Sequence, residues 1–171
     1  MFEFSVTEFM DRKDKNNYYL DIADTVLIRG TCLRRNYGAI IVKNDEIISS
    51  GYTGAPRGRK NCSDIGKCQR DIMNIPRGTH YELCRSVHSE ANAIISASRR
   101  DMLGATLYLV GRDAKTNEIV INANPCAMCK RMIINAGIDN VIIRDSNLKY
   151  RKIFVSEWID DDDSLKGELG Y

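Results

Sequence analysis

Val87-His88-Ser89-Glu90 and Pro125-Cys126-Ala127-Met128-Cys129 are the two segments from which the fold and chemistry of this chain can be deduced. His88, Cys126 and Cys129 carry side chains that bind zinc, and three protein ligands with an open fourth position are typical of catalytic zinc sites. The two cysteines stand three residues apart just after a proline, which suits the first turn of a helix and places both sulfurs on one face. The sequence therefore predicts a catalytic zinc ion held by these three side chains.

Glu90 completes this predicted site. It stands two residues after His88, so the two side chains point in different directions on a helix and are not expected to share one metal. We therefore predict that Glu90 transfers protons. The pattern H-x-E followed by P-C-x-x-C is typical of zinc-dependent nucleobase deaminases. A structural zinc knuckle or a redox pair beside a structural histidine is the alternative, but the full set of residues in register favours the catalytic interpretation.

The composition is that of an ordinary globular protein, with 171 residues, 43% of them hydrophobic and 28% charged. We expect a single domain over residues 1–171, with an N-terminal arm at 1–16 and an acidic tail at 156–171. No apolar run approaches a membrane span and the first residues lack the order of a signal peptide, so we expect a cytoplasmic protein without a membrane partner. In such a reducing compartment, cysteines are expected to bind metal rather than form disulfides.

The charge distribution gives little support for a nucleic-acid partner. The formal net charge is +2, although seven basic residues stand against three acidic ones between residues 52 and 85. Such a segment could bind an anion, but a solvated loop is the more common explanation of a charge run. We therefore predict no nucleic-acid partner.

The hydrophobic pattern predicts an α/β fold. Helical spacing occurs in residues 17–31, 87–100 and 126–136, and β-rich runs occupy residues 37–43, 46–50, 106–110 and 141–144. Asn44-Asp45 joins the first two β-runs as a hairpin. Residues 118–121 are a candidate short strand, and residues 153–159 are either a helix or an edge strand. This order of elements predicts a mixed sheet with helices on its faces.

The sequence resembles the deoxycytidylate (dCMP) deaminases of the cytidine deaminase superfamily over residues 18–144. Besides the two metal-binding segments, the loop Gly51-Tyr52-Thr53-Gly54-Ala55-Pro56 and the cysteine-bearing insert after it carry the resemblance. Further matching segments are Thr31-Cys32-Leu33-Arg34-Arg35, Gly38-Ala39-Ile40-Ile41-Val42-Lys43, Asn61-Cys62 and Tyr81-Glu82-Leu83-Cys84. The resemblance implies a three-layer α/β/α fold around a central mixed sheet of five strands.

The resemblance also implies an activity and its regulation. The protein would be a hydrolase that converts dCMP to dUMP and so supplies thymidylate (dTMP) synthesis. It would form a homo-hexamer that dCTP activates, together with Mg²⁺, and that dTTP inhibits, with Thr53 and Gly54 as effector contacts. Three features depart from the family pattern. Thr53 replaces the usual asparagine, Ser89 replaces the usual alanine, and residues 111–124 form a longer segment than usual.

The mechanism that follows uses zinc to activate water for attack on C4 of cytosine, while Glu90 carries protons from water to ring N3 and to the departing amine. A 5′-phosphate needs cations or backbone N–H groups. Arg35 and Asn36, just before the first predicted strand, are our candidates for this contact, with surface charges near a strand end as the alternative. Ser89 is expected to border the substrate through its backbone.

Four further cysteines, Cys32, Cys62, Cys68 and Cys84, suggest a second, structural zinc ion. Residues 52–80 show little apolar periodicity, and a loop of this length is unusual unless something holds it. A closed thiolate site would pin this loop, and the basic residues would offset its negative charge. His80 could replace one cysteine as ligand. Four buried, reduced cysteines without metal remain the alternative.

Two other functions are compatible with the motifs. Deamination of another base, above all adenosine in transfer RNA, is one, because Pro-Cys-Ala-Met-Cys also occurs in such enzymes. That enzyme would need a basic surface near its C-terminus, whereas this tail is acidic. A non-catalytic, zinc-stabilised module that binds nucleic acid is the other. Glu90 argues against it, because a structural zinc site does not need a carboxylate there.

Overall fold

A computed structural model describes residues 12–76 and 78–162. Most of the predicted N-terminal arm and the end of the predicted acidic tail lie outside these residues. No helix within the described part of the chain is both long and apolar enough to cross a membrane.

A mixed five-stranded sheet forms the centre of the fold, as predicted. Its strands are β1 Arg35–Lys43, β2 Glu46–Tyr52, β3 Thr106–Asp113, β4 Asn140–Arg144 and β5 Tyr150–Phe154. They lie in the order β2-β1-β3-β4-β5. Only β3 and β4 are parallel, and the other neighbours pair antiparallel. The predicted hairpin joins β1 to β2 at Asn44 and Asp45, whose φ angles of 52° and 64° suit the tight turns that favour these residue types.

Helices cover both faces of this sheet. They are α1 Lys15–Leu27, α2 Cys62–Ile65, α3 Gln69–Ile72, α4 Ser89–Ile95, α5 Arg99–Met102, α6 Ala127–Ala136 and α7 Val155–Asp160, with a 3₁₀ turn at Tyr81–Leu83. Alternating residues of β1 supply the two cores: Ile40 packs with α1, whereas Ile41 packs in the core that includes Ala93 of α4 and Ile133 of α6. The result is the expected three-layer α/β/α arrangement.

Three predicted elements differ from the structure. The helix predicted at residues 87–100 is divided, because Ser98 caps a new helix and its hydroxyl accepts a hydrogen bond from the backbone N–H of Asp101. The segment predicted as either helix or edge strand contains both in succession, β5 and then α7. Residues 118–121 make only an isolated bridge between Arg112 and Ile119 instead of a strand.

Two glycines allow the helices to approach the sheet closely. A Cβ atom on Gly38 would lie 2.1 Å from the carbonyl oxygen of Ala23 in α1, and one on Gly51 would lie 2.3 Å from that of Ser89 in α4. In both cases the obstacle is helix backbone, which cannot rotate away as a side chain can. Gly51 therefore sets the distance between β2 and the helix that follows the first metal-binding segment.

We expect Gly51→Ala to destabilise the protein by about 2–3 kcal/mol, because overpacking against backbone forces α4 away from the sheet. The measurement is the free energy of unfolding in urea. Gly54→Ala is the matched control, since its Cβ would meet only side-chain atoms, the nearest at 3.4 Å. Equal stability of the two variants would contradict this account of the close approach.

Candidate active site

The three predicted metal ligands meet where two helices begin. His88 is the N-cap residue of α4, Cys126 is the N-cap residue of α6, and Cys129 lies in the first turn of α6. The Nδ1 atom of His88 lies 3.4 Å from Sγ of Cys126 and 3.5 Å from Sγ of Cys129. All three donor atoms fall within 4.8 Å of one another. Two soft thiolates and one imidazole at this separation fit zinc.

The backbone around these ligands holds them in place. Val87 and Gly54 exchange two hydrogen bonds, N–H of Val87 to the carbonyl of Gly54 at 2.8 Å and the reverse at 3.2 Å. This bridge fixes the residue before His88 against the loop after β2. Gly54, which we predicted as an effector contact, thus lies against the chain that leads into the metal ligands.

Hydrogen bonding couples the protonation of the three ligands. The hydrogen bond to Cys129, aided by His88, lowers the pKa of the Cys126 thiol despite its burial. The same hydrogen bond, together with burial and the nearby Glu90 carboxylate, raises the pKa of Cys129. Burial alone would lower the pKa of His88, but the hydrogen bond to Cys126 and the charge of Glu90 outweigh it and raise that pKa. The metal-free site therefore contains a thiolate beside a thiol and a readily protonated imidazole.

The carboxylate of Glu90 is buried in the first turn of α4, with 5% of the residue exposed. The hydroxyl of Ser89 donates a hydrogen bond of 2.9 Å to its Oε2 atom. Ser89 is fully buried and does not line the cavity described below, so its side chain contacts Glu90. Serine in place of the family's usual alanine therefore adds a hydrogen bond to this carboxylate.

A cavity of about 450 Å³ opens beside the metal ligands and Glu90. Its wall is formed by the start of β1, the cysteine-bearing loop, the end of β3 and the residues before α6. The lining residues used below are Arg34, Arg35, Tyr37, Thr53, Arg70, Asp71, Tyr81, Asp113, Lys115 and Asn124. His88, Glu90 and Cys126 also line it, whereas Cys129 does not. The cavity therefore gives a small molecule access to the carboxylate and two of the three ligands.

Arg35 and Asn36, our two candidates for the phosphate, lie on different sides of β1. Arg35 lines the cavity, but Asn36 does not. The side chain of Asn36 accepts a hydrogen bond from the Cys32 N–H at 2.8 Å and donates one to the Cys32 carbonyl at 3.2 Å. Because β1 begins at Arg35, two residues earlier than predicted, consecutive side chains alternate and Asn36 turns away. Asn36 holds the Cys32 loop and makes no contact with the cavity.

Thr53, predicted as an effector contact, is buried in the wall of the same cavity. Its Oγ1 atom accepts a hydrogen bond of 3.1 Å from the backbone N–H of Tyr37. The backbone of Thr53 also joins Tyr37 and Thr31. This residue therefore connects β1 with the preceding loop at the edge of the catalytic cavity.

The other cysteines lie near this cavity but do not form a compact set of ligands. Cys32, Cys68 and Cys84 line it, and the sulfur of the buried Cys62 lies 3.8 Å from the hydroxyl of Ser86. Burial, with lesser effects of Cys32 and Cys62, raises the pKa of Cys84. Across residues 12–76 and 78–162, His88, Cys126 and Cys129 are the only group of three or more metal-binding side chains that converge within 4.8 Å.

His80, the predicted substitute ligand, is directed elsewhere. Its Nδ1 atom lies 2.9 Å from the carboxylate of Glu82, and both side chains are exposed. This contact occupies Nδ1 of the imidazole, and within the described residues His80 belongs to no converging group of metal-binding side chains.

A stack of side chains behind His88 was not predicted from the sequence. Arg70 is only 3% exposed, and its guanidinium donates hydrogen bonds to the carbonyl oxygens of Pro76, Thr79 and His80. It lies 4.5 Å from the centre of the Tyr81 ring, whose edge-to-face contact with the His88 ring spans 5.2 Å. No periodicity marks this segment, so no sequence signal could have identified Arg70.

This arrangement defines a class of protein. The fourth position of a Cys₂His zinc centre stays open, and here the cavity and a buried carboxylate adjoin the ligands. A mixed sheet between helices, with the ligands at two helix N-termini and a glutamate two residues after the histidine, is the architecture of the zinc-dependent deaminases.

The chain belongs to the cytidine and deoxycytidylate deaminase family, whose zinc-binding region matches residues 13–144. It is 34% identical to the deoxycytidylate deaminase of Mycobacterium phage D29 over 78% of this chain and 96% of that protein. It is 32% identical to the deoxycytidylate deaminase of Saccharomyces cerevisiae over 79% of this chain and 39% of that protein. The chain thus spans nearly all of the phage protein but about two fifths of the yeast one.

A solved structure supports the fold assignment. The apo dCMP deaminase of cyanophage S-TIM5 matches with a TM-score of 0.52 and 24% identity, over 77% of this chain and 82% of that chain. At this level of identity the similarity concerns the fold. It agrees with the mixed sheet and the helical layers described above.

The protonation of the three ligands predicts how zinc binding depends on pH. Cys129 must lose its proton at any pH near neutrality, because its pKa is raised, and His88 must also lose one below its own raised pKa. Zinc binding should therefore release about two protons at low pH and about one at high pH. Calorimetry in buffers of different ionisation enthalpy measures this number. His80→Ala is the control and should not change it, whereas a release independent of pH between 5.5 and about 8.5 would contradict the assignment.

Proposed function

We propose that this protein hydrolytically deaminates dCMP to dUMP. The observation that carries the proposal is the buried Glu90 carboxylate beside the Cys₂His ligands, on the wall of a cavity with several cations. The similarity to the phage D29 deoxycytidylate deaminase over nearly all of that protein supports the choice of substrate. The activity would supply dUMP for dTMP synthesis.

Glu90 is the catalytic residue in this proposal. Zinc, when bound by His88, Cys126 and Cys129, supplies a Lewis acid that makes water a nucleophile near neutral pH. Glu90 takes a proton from the water whose oxygen bonds to C4 and gives it to N3 of the cytosine ring. It then takes the proton of the new C4 hydroxyl and gives it to the amine, which leaves as ammonia when the C4–N bond breaks. The hydrogen bond from Ser89 restricts the Glu90 side chain, which holds the carboxylate for this transfer.

The substrate phosphate would be bound at the end of the cavity formed by the start of β1. Arg35 is the residue we retain for this contact, since it is always charged and lines the cavity. Asn36 would contribute only by holding the Cys32 loop, and Ser89 only through its hydrogen bond to Glu90. The cavity of about 450 Å³ is of the size expected for a small-molecule site.

Glu90→Gln should lower kcat for dCMP by about 10²-fold to 10⁴-fold while zinc remains bound, because the amide cannot accept and return the proton. The measurements are turnover of dCMP and zinc content of the same preparation. Glu82→Gln is the matched control, since Glu82 is exposed and pairs with His80. Near-normal turnover in a zinc-replete Glu90→Gln protein would remove Glu90 from this role.

A substrate panel separates this function from its alternatives. The wild-type protein is assayed with dCMP, deoxycytidine, dCTP and adenosine-containing RNA. Preference for dCMP supports the proposal, whereas deamination of adenosine in RNA would identify an RNA-editing enzyme. Turnover of none of these by the zinc-loaded protein would favour a zinc-stabilised binding module instead.

We further propose a second, structural zinc ion bound by the remaining cysteines. The support is their position, since Cys32, Cys68 and Cys84 line one cavity and Cys84 is influenced electrostatically by Cys32 and Cys62. Bringing their sulfurs into a tetrahedral site requires a local adjustment of the loop, because no three of these four sulfur atoms lie within 4.8 Å of one another.

Metal analysis should give about two zinc ions per chain, and Cys84→Ser should reduce this to about one without abolishing the first site. Cys126→Ser is the matched variant and should remove the catalytic ion instead. One zinc ion per wild-type chain, unchanged by Cys84→Ser, would show that the four cysteines are reduced thiols without metal.

Regulation and assembly are also proposals. We expect a cytoplasmic homo-hexamer that is activated by dCTP with Mg²⁺ and inhibited by dTTP, as the family resemblance implies. The effector contacts of Thr53 and Gly54 would act directly on the active site, since Thr53 lines the catalytic cavity and Gly54 bonds to the residue before His88. Adding dCTP or dTTP to the dCMP assay tests this regulation.

A further inference from the structure

We propose that Lys115, which lies in the long segment between β3 and α6, binds the 5′-phosphate of the substrate together with Arg35. This inference rests on the proposed function and identifies a residue that makes the site specific for nucleotides over nucleosides. Lys115 lines the catalytic cavity although it stands 25 residues after Glu90 in the sequence.

A tight turn presents Lys115 to the cavity. Asp113 closes this turn, because its Oδ1 atom accepts hydrogen bonds from the backbone N–H groups of Lys115 at 2.9 Å and Thr116 at 3.1 Å. The backbone N–H of Asp113 also bonds to the carbonyl of Glu118 at 2.9 Å. The N–H of Ala114 donates to the carbonyl oxygen of Arg34 at 3.0 Å, which attaches the turn to the chain that leads into β1. Lys115 is therefore carried by an ordered turn.

A partly buried ion pair anchors the base of this turn. The guanidinium of Arg112 donates two hydrogen bonds of 2.6 Å to the carboxylate of Asp24 in α1. A third bond, of 2.8 Å, runs from Arg112 to the carbonyl of Asn117 within the turn. Both charged side chains are about one fifth exposed, so this bidentate pair is partly shielded from solvent. It fixes the turn to the body of the fold and neutralises Arg112. Of these two cations, only Lys115 lines the cavity.

The charges around the cavity single out two cations. Four basic residues line it, Arg34, Arg35, Arg70 and Lys115, against the three acidic residues Asp71, Glu90 and Asp113. The Nε atom of Arg34 lies 3.6 Å from the carboxylate of Asp71, and the guanidinium of Arg70 donates its hydrogen bonds to loop carbonyl oxygens. Among the described residues, no carboxylate forms an ion pair with Arg35 or Lys115. The charge of both cations acts on the nearby Asp113 carboxylate, whose pKa is lowered chiefly by the backbone N–H groups of Lys115 and Thr116. Because neither cation lies within ion-pair distance of a carboxylate in the described part of the chain, both can contact an anionic ligand.

The two cations lie at the correct end of the cavity for a phosphate. Arg35 pairs with Asp113 across β1 and β3, so the start of β1 and the Lys115 turn are neighbours. Tyr37, on the same side of β1 as Arg35, is close enough to Glu90 for the carboxylate to influence its pKa, which burial raises. A strand rises about 3.4 Å per residue, so Arg35 lies about 7 Å from Tyr37 along β1. A nucleotide with its base at Glu90 would direct its phosphate toward these cations.

Lys115→Ala tests this assignment. It should lower kcat/KM for dCMP by about 10-fold to 100-fold, mainly through KM, because it removes a charge-assisted contact to the phosphate. It should leave kcat/KM for deoxycytidine within about twofold, since the nucleoside lacks that group. Lys115→Arg should restore most of the dCMP activity. Lys149→Ala is the control, because Lys149 is an exposed lysine away from the cavity.

Product binding gives a readout that does not depend on turnover. Calorimetry should show that Lys115→Ala lowers the affinity for dUMP by about 10-fold to 100-fold, as for kcat/KM, and leaves the affinity for deoxyuridine unchanged. Lys115 does not bind the phosphate if Lys115→Ala has the same kcat/KM values and product affinities as Lys149→Ala. The same conclusion follows if the variant loses affinity for nucleotide and nucleoside equally. If the wild-type protein deaminates neither dCMP nor deoxycytidine, the proposed function fails instead, and the two failures are thus distinguishable.

Discussion

The convergence of His88, Cys126 and Cys129 is the constraint on which the rest of the structure depends. The imidazole comes from the start of α4 and the thiols from the start of α6, so the two helices must begin within a few ångströms of each other. Their N-termini both favour negative charge, which suits thiolates. The parallel pairing of β3 and β4 places the chain so that both helices pack on one face of the sheet. The order of the strands thus determines where the two helices begin, and the helix starts position the metal ligands.

The cavity combines chemistry at one end with charge at the other. Near the ligands, a buried carboxylate receives a hydrogen bond from Ser89 and lies in a wall formed partly by aromatic rings. At the far end, the start of β1 and the turn after β3 carry cations. This separation lets one site handle a proton and a phosphate without placing the phosphate-binding lysine and arginine beside the catalytic carboxylate, where their charge would weaken it as a base.

Much of the fold and the centre of the site could be predicted from sequence, because local patterns encode them. The alternation of Ile40 and Ile41 between two cores follows from the period of a strand, and the two metal-binding segments encode both ligand type and helix start. The direction of Asn36 could not be predicted, because it depends on a strand boundary that lay two residues earlier than expected. Arg70 was inaccessible to prediction, since its partners are backbone carbonyls brought together only by the folded loop.

The enclosure of the Arg70 guanidinium by three carbonyl groups has a consequence for how the loop can vary. Removing the cation would take one donor from each of the carbonyl groups of Pro76, Thr79 and His80, so these residues and Tyr81 are held together around a single charge. Outside this unit, exposed stretches such as the one near Gly58 could change in length at little cost, because loop closure depends only weakly on length. The loop therefore has a fixed inner ring that faces His88 and a variable outer rim, and its sequence can diverge widely at the rim while the catalytic wall keeps its shape.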